Sequence, residues 1–109
     1  MGRRTGTDMP NLGRNELLIE LRALKPDLEK QGITRVSLFG SRARADNRPD
    51  SDIDLIIEVE PDQKFSLLDI VGVGQSIEDR LGLPANIFMR RSLTPDFLSS
   101  MRSDLVTVF

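Results

Sequence analysis

The 109 residues carry 15 Lys+Arg against 17 Asp+Glu, a formal net charge of −2, which sets the scale at one domain and weighs against a non-specific DNA binder with a basic face. Cysteine and histidine are both absent, so disulfides, zinc–thiolate sites, Ser-His-Asp triads and imidazole bases are excluded. Aromatics make up 5% of the chain, all of them Phe, too few for a platform that stacks single-stranded nucleic acid, and no apolar run approaches the roughly 20 residues of a membrane span.

Residues 1–14 place Arg3, Arg4 and Arg14 among Gly, Thr, Asn and Pro without apolar periodicity, and read as a flexible tail. The folded domain is expected over 15–109. No signal-peptide pattern opens the chain, so a cytoplasmic protein is expected. From Asn15, a candidate N-cap, Leu17, Leu21, Leu24 and Leu28 form one helical stripe. Pro26 should break or kink it, and Gly32 should close the remainder. Ile33–Phe39 is rich in β-branched and large apolar residues and reads as a strand stopped by Gly40. Ser41–Ala45 fits one helical turn, and a polar loop follows. Asp52–Glu60 alternates as a second strand, with Ile53, Leu55, Ile57 and Val59 facing one way and Asp52, Asp54, Ile56 and Glu58 the other.

Phe65–Leu81 reads as a helix presenting Leu67, Ile70, Val71, Gly74, Ile77 and Leu81, capped by Gly82. Gly72 and Gly74 weaken that helix unless close packing compensates. Ala85–Met89 is a third strand. Thr94-Pro95 opens a last helix to about Ser103, and Leu105–Phe109 fits a terminal strand. Helices alternating with strands predict an α/β (α+β) layered domain with a small mixed sheet.

The chemistry concentrates in Gly40-Ser41 and, after ten intervening residues, Asp52-Ile53-Asp54. Separately, the first is an ordinary turn and the second a common solvent-facing pair. Together they are harder to dismiss, because Asp is disfavoured in strands and alternation puts both carboxylates on one face. Such a pair supplies the oxygens that Mg²⁺ takes alongside substrate phosphates. Gly40 permits a sharp turn, so the amides of Ser41 and Arg42 can face an anion, while Arg42, Arg44 and Arg48 add positive charge. From Asp46 to Asp62 there are seven acids and one base, Arg48. That repulsion is costly without a cation.

The stretch FGSRARADNRPDSDIDLIIEVE resembles the Gly-Ser-x(10)-Asp-x-Asp motif of the minimal nucleotidyltransferases (MNT) of the DNA polymerase beta superfamily. The resemblance runs from about Leu17 to Phe109 and includes KFSLLDIVG and RRSLTPDFL. It implies a short mixed sheet flanked by helices. It also implies transfer of a nucleoside monophosphate, AMP above all, from ATP or another NTP to a hydroxyl, releasing pyrophosphate. Many members are MntA-type antitoxins that modify a neighbouring helical HEPN ribonuclease toxin, so the resemblance implies a HEPN-type partner and no extended nucleic-acid template. By position, Gly40 and Ser41, with Arg42 and Arg44 beside them, would bind the nucleotide. Asp52 and Asp54 would hold two Mg²⁺ ions, catalysis resting on positioning and charge neutralisation.

One position departs from the family pattern. Where members carry a third carboxylate, in a segment like Val-Asp-Leu-Val, this chain has Pro84-Ala85-Asn86-Ile87-Phe88. Asn86 can offer a carbonyl oxygen but no charge, which predicts weakened metal binding and slow or absent transfer. Three functions therefore stand side by side: an adenylylating antitoxin, a catalytically weak fold that neutralises a toxin by binding it, and a plain nucleotide-binding domain. Nothing in the chain is long enough for a separate acceptor domain, so the acceptor is expected to be very small or, as fits the family better, to arrive on another protein. Phe97, Leu98 and Met101 are candidates for a contact patch or, more simply, for the core face of the last helix. Arg90-Arg91 fits either a phosphate contact or a solvated strand end, and Lys64 and Phe65 lie where they could touch nucleotide.

Overall fold

Residues 13–109 are described by a computed structural model, and the expected tail lies outside them except for its last two residues. Those two already belong to the fold. Helix α1 spans Arg14–Arg22 with Gly13 as N-cap, two residues earlier than the Asn15 cap predicted. Glu16 decides the start, since its Oε1 accepts the Gly13 N–H at 2.7 Å and satisfies an amide that the helix cannot. Pro26 has no N–H and would collide with the carbonyl of Arg22, where α1 ends. It is accommodated instead in the first turn of α2, Lys25–Lys30. All four leucines of the predicted stripe are buried across this break.

Strand β1 spans Ile33–Phe39, β2 Ile53–Val59, β3 Ala85–Met89 and β4 Val106–Thr107. They form one sheet in the order β3-β2-β1-β4. β1 runs antiparallel to β2 and β4, and β2 parallel to β3. The terminal strand is shorter than Leu105–Phe109, although the Val108 N–H still donates to the Val36 carbonyl at 2.8 Å. Arg22 holds this segment against α1 by donating to the carbonyls of Val108 (2.7 Å) and Thr107 (3.2 Å). Between the strands lie α3 (Ser41–Arg44), α4 (Leu67–Leu81) and α5 (Pro95–Met101).

The two faces of the sheet differ. Val36, Leu38, Ile53, Leu55 and Ile57 pack with leucines of α1 and α2 and with Val73, Ile77 and Leu81 of α4 in one apolar cluster. The opposite face carries Phe39, Asp54, Ile56, Glu58, Asn86 and Phe88 by register, and Phe97 of α5 lies 6.2 Å from the rings of both Phe39 and Phe88. Met101 is the buried residue of the last helix, so the core reading holds for it, while Leu98 is half-buried and Phe97 exposed.

Helix α4 is rotated from the face read in the sequence. Leu67, Leu68 and Val71 are exposed, and Val73, absent from the predicted stripe, is fully buried. Gly74 stays on the packed face, as expected. A Cβ there would sit 3.4 Å from the Ala85 carbonyl, so the helix backbone lies close on β3 only with this side down. Gly72 meets nothing within 4 Å and has no such packing role.

Leu55→Ala should cost about 2–5 kcal/mol, read as a lower urea midpoint with unchanged slope, whereas Leu68→Ser should move stability by less than about 0.5 kcal/mol.

Candidate active site

Asp54 lies in β2, an interior strand, paired on one side with Phe39 and on the other with Asn86. A carboxylate in the middle of a sheet needs room and hydrogen-bond donors. Gly40 supplies the room. It has φ +79 and ψ −160, a region essentially closed to other residues, and a Cβ on it would lie 2.5 Å from Asp54 Oδ2. Asn86 supplies the donors, giving Nδ2 to Asp54 Oδ1 at 2.9 Å and to Asp52 Oδ2 at 3.2 Å. The start of β2 is fixed by the Ile53 N–H on the Pro84 carbonyl, 2.9 Å. Gly40, Asp52, Asp54 and Asn86 thus converge at one end of the open face, and the Gly40-Ser41 turn opens α3 beside them.

Two of the arginines expected at the nucleotide have other roles in this structure. Arg42 is buried, 1% exposed, and donates Nε to the Ser51 carbonyl and Nη2 to the Pro49 carbonyl, both at 3.0 Å. Its guanidinium fastens the acidic loop to α3. Burial lowers its pKa, opposed by the charges of Asp50 and Asp52. No pattern in the chain signals this role, because a buried Arg beside a phosphate-type turn reads like an exposed one until the loop carbonyls are seen to converge on it. Arg44 pairs with Asp46 at 3.1 Å and Asp104 at 3.0 Å, and hydrogen bonds to both raise its pKa, Asp46 first. Arg90 lies 3.6 Å from Glu58 and Arg91 is exposed. Lys64 is exposed, and Phe65 packs against the core.

No group of three or more Asp, Glu, His or Cys side chains that could hold a metal occurs among the described residues. The two carboxylates of Asp52 and Asp54 are nonetheless hard oxygen donors of the right kind for a divalent cation, leaving positions for phosphate oxygens and water, while Asn86 presents its NH₂ group to them.

The profile of the nucleotidyltransferase domain family matches residues 21–106. The chain belongs to this family. It is 30% identical to protein adenylyltransferase MntA of Thermococcus cleftensis over 101 residues, 92% of this chain and all of that one. A solved structure described as a candidate minimal nucleotidyltransferase superposes with a TM-score of 0.73 at 28% identity, covering 88% of this chain and 96% of the other. A chain in the structure of a tri-AMPylated Shewanella oneidensis HEPN toxin in complex with MNT antitoxin gives 0.64 at 13% identity, covering 88% and 71%. That likeness is one of fold. The small mixed sheet flanked by helices is the fold of minimal nucleotidyltransferases, as the sequence pattern implied.

Gly40→Ala should cost about 1–3 kcal/mol through its backbone conformation and displace Asp54, seen as a shifted Asp54 amide resonance in the ¹⁵N spectrum. Arg42→Met should cost about 2–4 kcal/mol by chemical denaturation, because two loop carbonyls lose a charged donor, while Arg44→Gln should leave the unfolding midpoint in place.

Proposed function

We propose that this protein transfers AMP from ATP to a hydroxyl group on a partner protein, and that the partner is a HEPN-type toxin which the modification silences. The observation that carries the reading is the convergence of Asp52, Asp54 and Asn86 beside the Gly40-Ser41 turn. The adenylyltransferase name of the Thermococcus relative and the AMPylated toxin in the Shewanella structure support the choice of AMP and of a HEPN acceptor.

In this reading residues 13–109, two more than the sequence pattern assigned, are the nucleotidyltransferase unit. The Gly40-Ser41 turn receives the triphosphate, since the first amides of a helix have no intrahelical acceptor and favour anions. Asp52 and Asp54 hold the divalent cations, Mg²⁺ by the chemistry of their oxygens. When bound, such ions neutralise charge on the triphosphate and lower the pKa of the attacking hydroxyl. The hydroxyl oxygen forms a bond to the α-phosphorus, the bond from that phosphorus to the β-phosphate oxygen breaks, and pyrophosphate leaves. The hydroxyl proton passes to solvent or to a carboxylate, because the chain contains no histidine and no cysteine to receive it. What remains for the protein is alignment, and the rigid β2–β3 pair supplies it.

One observation favours a second reading, an antitoxin that acts by binding alone: Asn86 stands where the family pattern has a third carboxylate, and its amide donates to both acids. Incubation with α-³²P-labelled ATP, Mg²⁺ and a HEPN partner separates the two. Label on the partner, lost in Asp52→Asn and in Asp54→Asn with rate decreases of about 10² or more, is the outcome expected from transfer. A stable complex that never acquires label would instead establish occlusion.

A further inference from the structure

The Asn86 side chain is placed between two acids by the parallel register of β3 on β2, which sets Asp54 beside Asn86. Ionised carboxylates only accept hydrogen bonds, so the part of the amide that meets both must be the NH₂ group. Its two N–H bonds suit this, one directed at Asp54 Oδ1 (2.9 Å) and one at Asp52 Oδ2 (3.2 Å). A carboxylate at position 86 would bring a third negative charge to the same point, against Asp52 and Asp54. Like charges so close repel one another unless a cation joins them.

We propose that Asn86 is a positioning residue that substitutes for a cation in the metal-free protein. Its amide clamps Asp52 and Asp54 in their paired arrangement without any ion. Binding of a divalent ion between the acids then requires the amide to leave that position or to turn its carbonyl oxygen inward. The site is thereby ordered before metal arrives, and metal binds in competition with an internal donor. The second half rests on the reading of Asp52 and Asp54 as metal ligands, whereas the clamp itself does not depend on it.

The test compares wild type, Asn86→Asp and Asn86→Ala by thermal unfolding in EDTA and in Mg²⁺. In EDTA the wild type should melt highest and Asn86→Asp lowest, by about 5 °C or more, with Asn86→Ala between them. Mg²⁺ should raise the melting temperature of Asn86→Asp more than that of wild type. In ¹⁵N-labelled wild type in EDTA, the Asn86 NH₂ protons should resonate apart from those of a free asparagine side chain and exchange slowly, which a purely packing role would not produce. This spectrum stands even if Asn86→Asp fails to fold. Equal melting temperatures of wild type and Asn86→Asp in EDTA, or Asn86 NH₂ signals like those of a free side chain, would overturn the proposal. Neither result touches the transferase reading, which fails separately if wild type transfers no label.

Discussion

A carboxylate held in the interior of a β-sheet is the constraint from which most of this structure follows. Asp54 occupies β2 between β1 and β3, half-buried on the open face of the sheet with close neighbours on both sides. Its stability there depends on a neighbour with no side chain, Gly40, and on one with two N–H bonds to give, Asn86. Neither could be exchanged freely. A methyl group on Gly40 would collide with the carboxylate, and an acid at 86 would repel it.

The rest of the fold separates stability from chemistry. One face of the sheet lies under α1, α2 and α4 in a continuous apolar cluster. The other is closed only in part, by Phe97 against Phe39 and Phe88, with the acids at one end and Glu58 between Arg35 (3.5 Å) and Arg90 (3.6 Å) at the other. The loop between α3 and β2 would otherwise be a loose run of acids. Arg42 ties it down from inside, and the Arg48 N–H on Ser51 Oγ at 2.9 Å tightens its end. Asp52 is therefore delivered to the same spot as Asp54 by hydrogen bonds rather than by the sheet ladder, since β2 begins one residue later.

Much of this was legible in the chain itself. The limits of β1 and β3 agree with the residues read from β-branched content and from the Gly and Pro punctuation, and the Gly-Ser and Asp-x-Asp spacing marked the end of the sheet where the acids meet. What sequence could not show is which way ambiguous residues turn. Leu67 and Val71 lie at the edge of the wheel that contains Ile77 and Leu81, so apolar periodicity alone admits them to the core, whereas the packed face takes Val73 and leaves them exposed. Arg42 and Arg44 look alike as cations near a phosphate-type turn, yet one is buried against loop carbonyls and the other bonds Asp46 and Asp104. Asn86 was visible as a departure from a pattern, but its bridging hydrogen bonds exist only once β3 lies parallel to β2.

The account stands on Asp52 and Asp54 acting together, next to the Gly40-Ser41 turn, on one metal–nucleotide complex. A crystal structure with Mn²⁺ and a non-hydrolysable ATP analogue tests this most directly, because manganese can be located by its anomalous scattering. The predicted result is a manganese peak bridging carboxylate oxygens of Asp52 and Asp54, with the triphosphate on the backbone of Gly40 and Ser41. Nucleotide bound elsewhere on the protein, or manganese absent from between the two acids at saturating analogue, would contradict it.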